Sequence, residues 1–132
     1  MKKRLLLVDD DSSMLGFVQL GLESEFWTIE TASDAMSGFE KVRDIRPFLI
    51  ISDFQMPDFG KGTDLVRAIR REPVIAKTPI IILTGMELQH VRARLPKGEE
   101  LVRMLNKPPD FDLLRRYIAE LTGVGDPFRG MT

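Results

Sequence analysis

The sequence predicts a doubly wound α/β fold, in which a five-stranded parallel sheet lies between two layers of helices. Short apolar runs alternate with amphipathic helical stretches along the whole chain. Three of these runs, at residues 5–8, 48–51 and 80–83, contain only apolar residues, which is typical of strands covered by helices on both faces. A length of 132 residues suits one domain of this kind.

The first half of the chain holds three predicted strands and two predicted helices. The strands are residues 5–8, 27–31 and 47–52, and the helices are residues 12–23 and 33–43. Apolar residues recur at helical spacing in the first helix, for example at Met14, Val18 and Leu22. Ser12 is expected to cap this helix, because a serine hydroxyl can accept a hydrogen bond from an amide of the first turn.

The second half of the chain continues the alternation after a predicted loop at residues 53–62. The strands are residues 79–83 and 101–105, and the helices are residues 63–71, 87–95 and 110–121. Asp110 is the expected N-cap of the last helix, and Gly123 is expected to end it. Residues 1–122 are therefore predicted to form the domain, and residues 123–132 a short flexible tail or the stub of a linker.

The composition excludes several classes of function. The chain has no cysteine and one histidine, His90, which excludes disulfides, thiol chemistry, cysteine-ligated zinc and multi-histidine metal sites. Nineteen basic and 20 acidic residues give a net charge of -1, so nothing favours nucleic acid or an anionic membrane as a direct partner. No segment approaches the ~20 apolar residues of a membrane span. A soluble, cytoplasmic protein is expected.

Charged and polar side chains follow four of the five predicted strands. They are Asp9, Asp10 and Asp11 after the first strand, Asp53 after the third, Thr84 after the fourth and Lys107 after the fifth. In a sheet of this kind, ligands bind outside the carboxyl ends of the strands. Clustered carboxylates favour a hard cation such as Mg²⁺, and a carboxylate can itself be a nucleophile. With an ammonium and a hydroxyl nearby, this set indicates phosphoryl transfer.

The chain resembles the receiver domains of two-component response regulators, with the length of the single-domain chemotaxis type. Four segments carry the resemblance in the family's order over residues 4–122. They are Val8-Asp9-Asp10-Asp11, Ile51-Ser52-Asp53-Phe54-Gln55-Met56-Pro57, Ile82-Leu83-Thr84-Gly85 and Asn106-Lys107-Pro108. Each is weakly specific alone, but the four together, each after a predicted strand, are specific. The resemblance implies a flavodoxin-like strand order, 2-1-3-4-5.

The resemblance also implies a metal site and a phosphoacceptor. Asp53 would accept the phosphoryl group. Asp10 and Asp53 would ligate Mg²⁺ directly, together with the backbone carbonyl of Gln55, and Asp9 would act mostly through water. Such a domain is no enzyme in its own right, since it catalyses only its own phosphorylation and a slow autodephosphorylation.

Two further residues take part in the reaction that the resemblance implies. Thr84 would donate its hydroxyl to the bound phosphoryl group. Lys107 would pair with Asp53 before phosphorylation and with a phosphoryl oxygen afterwards, and its bond to Pro108 would be cis.

The resemblance implies two kinds of partner, a phosphoryl donor and a protein that binds the domain afterwards. A sensor histidine kinase or a phosphotransfer protein would donate the phosphoryl group, and a downstream protein or a second receiver would bind through residues 87–121. Met104 stands where receivers usually carry Tyr or Phe. Because methionine is flexible, we expect the switch to depend on Thr84 and on repacking of residues 87–95.

Three other interpretations use parts of the same pattern. A haloacid-dehalogenase-like phosphatase also has an aspartate nucleophile, but it requires a second aspartate where Gln55 stands. A flavin or nucleotide binder would need a glycine-rich loop after the first strand, where three aspartates stand instead. A pseudo-receiver, a binding module that acts without phosphorylation, gains some support from Met104 and from a loop after Asp53 that is about one residue longer than in most receivers. The presence of all five side chains of the phosphorylation site, Asp9, Asp10, Asp53, Thr84 and Lys107, argues against it.

Overall fold

The fold follows the alternation of strands and helices that the sequence predicts. The computed structural model describes residues 3–53, 62–95 and 98–125. Its elements in chain order are β1 Lys3–Val8, α1 Ser12–Gly21, β2 Trp27–Ala32, α2 Ala35–Ile45, β3 Leu49–Asp53, α3 Gly62–Arg71, β4 Ile80–Thr84, α4 Leu88–Arg92, β5 Val102–Asn106 and α5 Phe111–Thr122. The strands form one parallel sheet in the order β2-β1-β3-β4-β5, so the predicted fold class and strand order are confirmed.

The core consists of two apolar layers, one on each face of the sheet. In β1, Leu6 and Val8 pack in the layer under α2, α3 and α4, whereas Leu5 and Leu7 pack in the layer under α1 and α5. Successive side chains of a strand point to opposite faces, so a strand covered on both faces places apolar side chains in both layers, and its polar residues stand near its end, as Ser52 and Thr84 do. Each fully buried aliphatic side chain contributes about 1.5–3 kcal/mol, and these layers supply most of the driving force for folding.

The helix ends show where the prediction was right and where it was wrong. Asp110 caps α5 by accepting hydrogen bonds from two amides of its first turn, at 2.9 and 3.2 Å, and Gly123 ends the helix with φ 73°, as predicted. For α1 the predicted cap, Ser12, was wrong. Asp11 is the extended residue before the helix, and its carboxylate accepts from the amides of Ser13 and Met14. Ser12 already lies in the first turn.

Helix α4 is shorter than predicted. It ends at Arg92, because the amides of Arg94 and Leu95 donate to carbonyls three residues back, at 3.0 and 3.2 Å. These tighter turns end the regular α-helix. The longest helix in the described ranges is α5, with 12 residues, and none of the described helices has the length and apolar character required to cross a membrane.

Two glycines of α1 are expected to respond in opposite ways to alanine. A methyl group on Gly16 would meet no atom, whereas one on Gly21 would overlap the ring of Phe111, which also contacts Phe17. Gly16→Ala should stabilise the protein by about 0.5–1 kcal/mol, because alanine is the better helix former. Gly21→Ala should destabilise it by about 1–3 kcal/mol, because the ring has to move. Chemical denaturation of the two variants would measure both shifts, and equal shifts would contradict the close packing of Phe111 on Gly21.

Candidate functional site

The carboxyl ends of four neighbouring strands meet at one edge of the sheet. The parallel registers pair Val8 of β1 with Ser52 of β3, and Thr84 of β4 with Asn106 of β5. The residues at the ends of these strands, and those directly after them, are therefore brought side by side. This edge holds every described residue that the sequence predicted for the site.

Three carboxylates converge at this edge. One oxygen each from Asp9, Asp10 and Asp53 lies within 4.8 Å of the others. Asp9 is buried, with 5% of its surface exposed, whereas Asp10 is exposed and Asp53 is intermediate. Asp11 is not a member of this acidic cluster, and its carboxylate caps α1 instead. The buried position of Asp9 is supported by the amide of Asp11, which donates to Asp9 Oδ1 at 2.9 Å.

The Lys107 ammonium lies between two of these carboxylates. Its Nζ is 2.9 Å from Asp9 Oδ2 and 3.2 Å from Asp53 Oδ1. Burial lowers the pKa of Lys107, but the hydrogen bond that its ammonium donates to Asp9 and the charges of Asp53 and Asp9 outweigh burial and raise that pKa above the ordinary lysine value. Lys107 is therefore charged throughout the neutral range. The stability that its ion pairs contribute is complete below the ordinary lysine pKa, and is lost only as the pH rises through the raised value.

The hydroxyl of Thr84 is buried at the same edge of the sheet as the acidic cluster. Thr84 is 1% exposed, and its Oγ1 accepts a hydrogen bond from the amide of Met86 at 3.0 Å. A hydroxyl that accepts one bond retains its own proton for donation. The backbone carbonyl of Thr84 accepts from the Lys107 amide at 2.8 Å. The bond between Lys107 and Pro108 is cis, as the resemblance implied.

One residue of this edge has a role that sequence reasoning missed. The side-chain amide of Asn106 donates to the carbonyls of Met86, at 2.7 Å, and of Thr84, at 3.2 Å. Asn106 thus bonds β5 to the loop that follows β4. The sequence does show an amide side chain beside Lys107 at the end of a predicted strand. The partners of this amide, however, can be identified only from the register of β5 with β4.

Two further residues were singled out by the sequence analysis. Gln55, whose backbone carbonyl was predicted as a metal ligand, lies outside the described residues. Met104 is partly buried and packs against the apolar layer that contains Val91 of α4. The residue at the position where receivers usually carry Tyr or Phe is therefore in contact with the apolar layer that α4 joins.

The comparison with known families identifies the chain. The family profile described as the response regulator receiver domain matches residues 5–119. The chain belongs to this family. Solved receiver structures agree with the assignment. The signal receiver domain of an HD domain-containing protein from Pseudomonas fluorescens Pf-5 is 26% identical, with a TM-score of 0.80 over 92% of this chain and 94% of that one. The chemotaxis response regulator CheY4 of Vibrio cholerae is 27% identical, with a TM-score of 0.79 over 92% and 99%.

Curated relatives contain a similar receiver domain within longer proteins. The hybrid signal transduction histidine kinase D of Dictyostelium discoideum is 33% identical over 94 residues, which are 71% of this chain and 6% of that protein. The transcriptional regulatory protein TrcR of Mycobacterium tuberculosis is 31% identical over 84 residues, which are 64% of this chain and 32% of that protein. The receiver domain thus spans at most about a third of these relatives.

Proposed function

We propose that this receiver domain accepts a phosphoryl group on Asp53, with Mg²⁺ bound beside it, as one step of a two-component phosphorelay. The observation that carries the proposal is the Lys107 ammonium between Asp9 and Asp53, at 2.9 and 3.2 Å, next to a third carboxylate. The donor would be a sensor histidine kinase or a phosphotransfer protein. The domain would act in the cytoplasm as a phosphoacceptor rather than as an enzyme with turnover.

The acidic cluster fits Mg²⁺ in both chemistry and charge. Its donors are all carboxylate oxygens within 4.8 Å of one another, and Mg²⁺ binds one or two carboxylates while keeping several waters. Three carboxylates and one ammonium carry a net charge of 1 − 3 = −2, which a divalent cation neutralises. Asp10 and Asp53 would ligate the ion directly and Asp9 would act through water. The bound ion would neutralise charge on the oxygens of the transferred group.

The side chains of the site divide the chemistry between them. An oxygen of Asp53 would form the new bond to phosphorus as the bond from phosphorus to the donor's imidazole nitrogen breaks, and the electron pair would return to that nitrogen. The Lys107 ammonium would then contact a phosphoryl oxygen in place of Asp53. Thr84 would donate its hydroxyl proton to another phosphoryl oxygen, while its Oγ1 continues to accept from Met86.

The output would depend on a change of surface. A phosphoryl group adds about two negative charges at neutral pH and would bind better to the arrangement in which Thr84 and Lys107 contact it. The surface formed by residues 87–121 would then bind a downstream protein or a second receiver. We place the receiver domain at residues 1–122 and a linker or tail at residues 123–132, of which residues 126–132 lie outside the described part.

The direct test is intact-mass spectrometry of the protein after incubation with a small phosphodonor such as acetyl phosphate. We expect one phosphoryl adduct that forms in the presence of Mg²⁺ and not in EDTA. The same sample is checked for folding by circular dichroism. A folded protein that forms no adduct would support the pseudo-receiver, and steady release of phosphate from an unrelated ester would support the phosphatase.

A pair of neighbouring aspartates tests the metal site. Asp10→Asn removes a carboxylate of the acidic cluster, whereas Asp11→Asn removes the same charge from the cap of α1, where asparagine serves as well as aspartate. We expect Asp10→Asn to weaken Mg²⁺ binding by about tenfold or more, since even the loss of an outer-shell partner costs 10–100-fold. Asp11→Asn should weaken it much less. Calorimetric titration would measure both affinities, and equal losses would indicate a general charge effect instead of ligation by Asp10.

A further inference from the structure

We propose that the side-chain amide of Asn106 positions Thr84 and stabilises the unphosphorylated arrangement of the loop after β4. The two hydrogen bonds from Asn106 Nδ2 to the carbonyls of Thr84 and Met86 are called the Asn106 bridge below. The inference rests on the proposed function, because it assigns to this bridge a part of the free-energy difference between the unphosphorylated and phosphorylated states.

The Asn106 bridge uses both hydrogens of the amide. Nδ2 lies 2.7 Å from the Met86 carbonyl and 3.2 Å from the Thr84 carbonyl. Both partners are acceptors, so only the nitrogen of the amide can face them, and its orientation follows from the contacts. Asn106 is also the residue opposite Thr84 in the register of β4 and β5. The bridge therefore closes the loop from Thr84 to Met86 against the end of β5.

These contacts fix the main chain of Thr84 at the site. Its carbonyl accepts from the Asn106 side chain and from the Lys107 amide, and its hydroxyl oxygen accepts from the Met86 amide. A shift of the Thr84 main chain relative to β5 would lengthen the bonds to its carbonyl. In this structure they exist together with direct contacts from the Lys107 ammonium to Asp9 and Asp53. In the proposed mechanism these direct contacts belong to the unphosphorylated site, so we assign the bridge to that arrangement.

The bridge also connects the site to the surface near α4. Side chains two residues apart on a strand share a face, so Asn106 lies on the same face as Met104, which packs against the layer containing Val91 of α4. One residue, Glu87, separates Met86 from the start of α4 at Leu88. The loop that the bridge holds therefore leads directly into α4. Met104 is flexible, so we assign the bias between the two arrangements to the bridge instead of to this side chain.

Removal of the bridge should favour the phosphorylated arrangement. Asn106 is exposed, so water can replace its amide at the Met86 carbonyl, and the Thr84 carbonyl still accepts from the Lys107 amide. The variants are therefore expected to fold. The phosphoryl mimic is beryllium fluoride, added with Mg²⁺ to the full chain. We expect Asn106→Leu and Asn106→Ala to bind it about threefold to tenfold more tightly than wild type, which corresponds to the net contribution of about one hydrogen bond. Asn106→Gln retains the amide and should remain closer to wild type.

NMR titration measures this affinity. It also reports the positions of amide signals in the unliganded protein, which should not change in this way if Asn106 only supports the fold. In the unliganded Asn106→Leu protein, the amide signals of Gly85 and Met86 should shift toward their positions in the liganded wild type. If wild type binds the mimic, and Asn106→Leu and Asn106→Ala bind it equally well or more weakly, the role of the bridge is overturned and phosphoacceptance stands. If wild type itself does not bind the mimic, the proposed function fails and the role of the bridge fails with it.

Discussion

Asp53→Asn is expected to take up no phosphoryl group while folding about as stably as wild type. The asparagine side chain has no carboxylate to attack phosphorus, so the loss should be complete. Stability should change little, because the amide oxygen can still accept from Lys107 while one charge of the acidic cluster disappears. The charge of the site changes from −2 to 1 − 2 = −1, which reduces repulsion between carboxylates. The expected change in stability is within about 1 kcal/mol of wild type.

Intact-mass spectrometry and thermal denaturation of the same preparation would measure both parts of this expectation. Asp44→Asn is a matched control, since it makes the same chemical change at an exposed position of α2 and should be phosphorylated like wild type. An adduct on Asp53→Asn comparable to that on Asp44→Asn would show that another residue is the acceptor.

Lys107→Met is expected to lose stability in the absence of Mg²⁺ and to accept the phosphoryl group much more slowly. Methionine retains the length of the side chain but leaves Asp9, which is 5% exposed, without its ammonium partner. A carboxylate buried without compensation is costly. Because Lys107 is itself partly exposed, we expect a loss of about 1–3 kcal/mol rather than the larger values of fully buried pairs.

Mg²⁺ should restore more stability to this variant than to wild type. Three carboxylates without an ammonium carry a net charge of −3, so they should bind the cation more tightly, and tighter binding to the native state stabilises it further. Denaturation of Lys107→Met with and without Mg²⁺ tests this, with Lys77→Met at an exposed site as the control. A Lys107→Met protein as stable as Lys77→Met in EDTA would contradict the assigned role of the ion pairs.

The sheet and the ends of its strands could be predicted because their signals are local. The alternation of Leu5 and Leu6 between two buried layers requires an apolar residue at every position, which is visible in the sequence as an uninterrupted run. The residues that follow such runs must meet at one edge of a parallel sheet. Asp9, Asp53 and Lys107 could therefore be placed together without knowledge of any distance between them.

The details that could not be predicted depend on backbone geometry or on the partner strand. Ser12 and Asp11 are both good capping residues, and the choice between them depends on which one is extended before the helix. The end of α4 at Arg92 depends on a change from bonds four residues back to bonds three residues back. The Asn106 bridge needs the register of two strands, because Asn106 is 20 residues from Met86 in sequence.

The chemical identity of the phosphorylated residue is the most direct test of the proposed phosphoacceptor role. Borohydride reduces an acyl phosphate on aspartate to homoserine, which tandem mass spectrometry can locate after proteolysis. Wild-type protein treated with acetyl phosphate and Mg²⁺, and then with borohydride, is predicted to contain homoserine at position 53 and at no other aspartate, with none formed in EDTA. Homoserine at Asp9 or Asp10, or a phosphoryl group found on His90 instead, would contradict the assignment of Asp53.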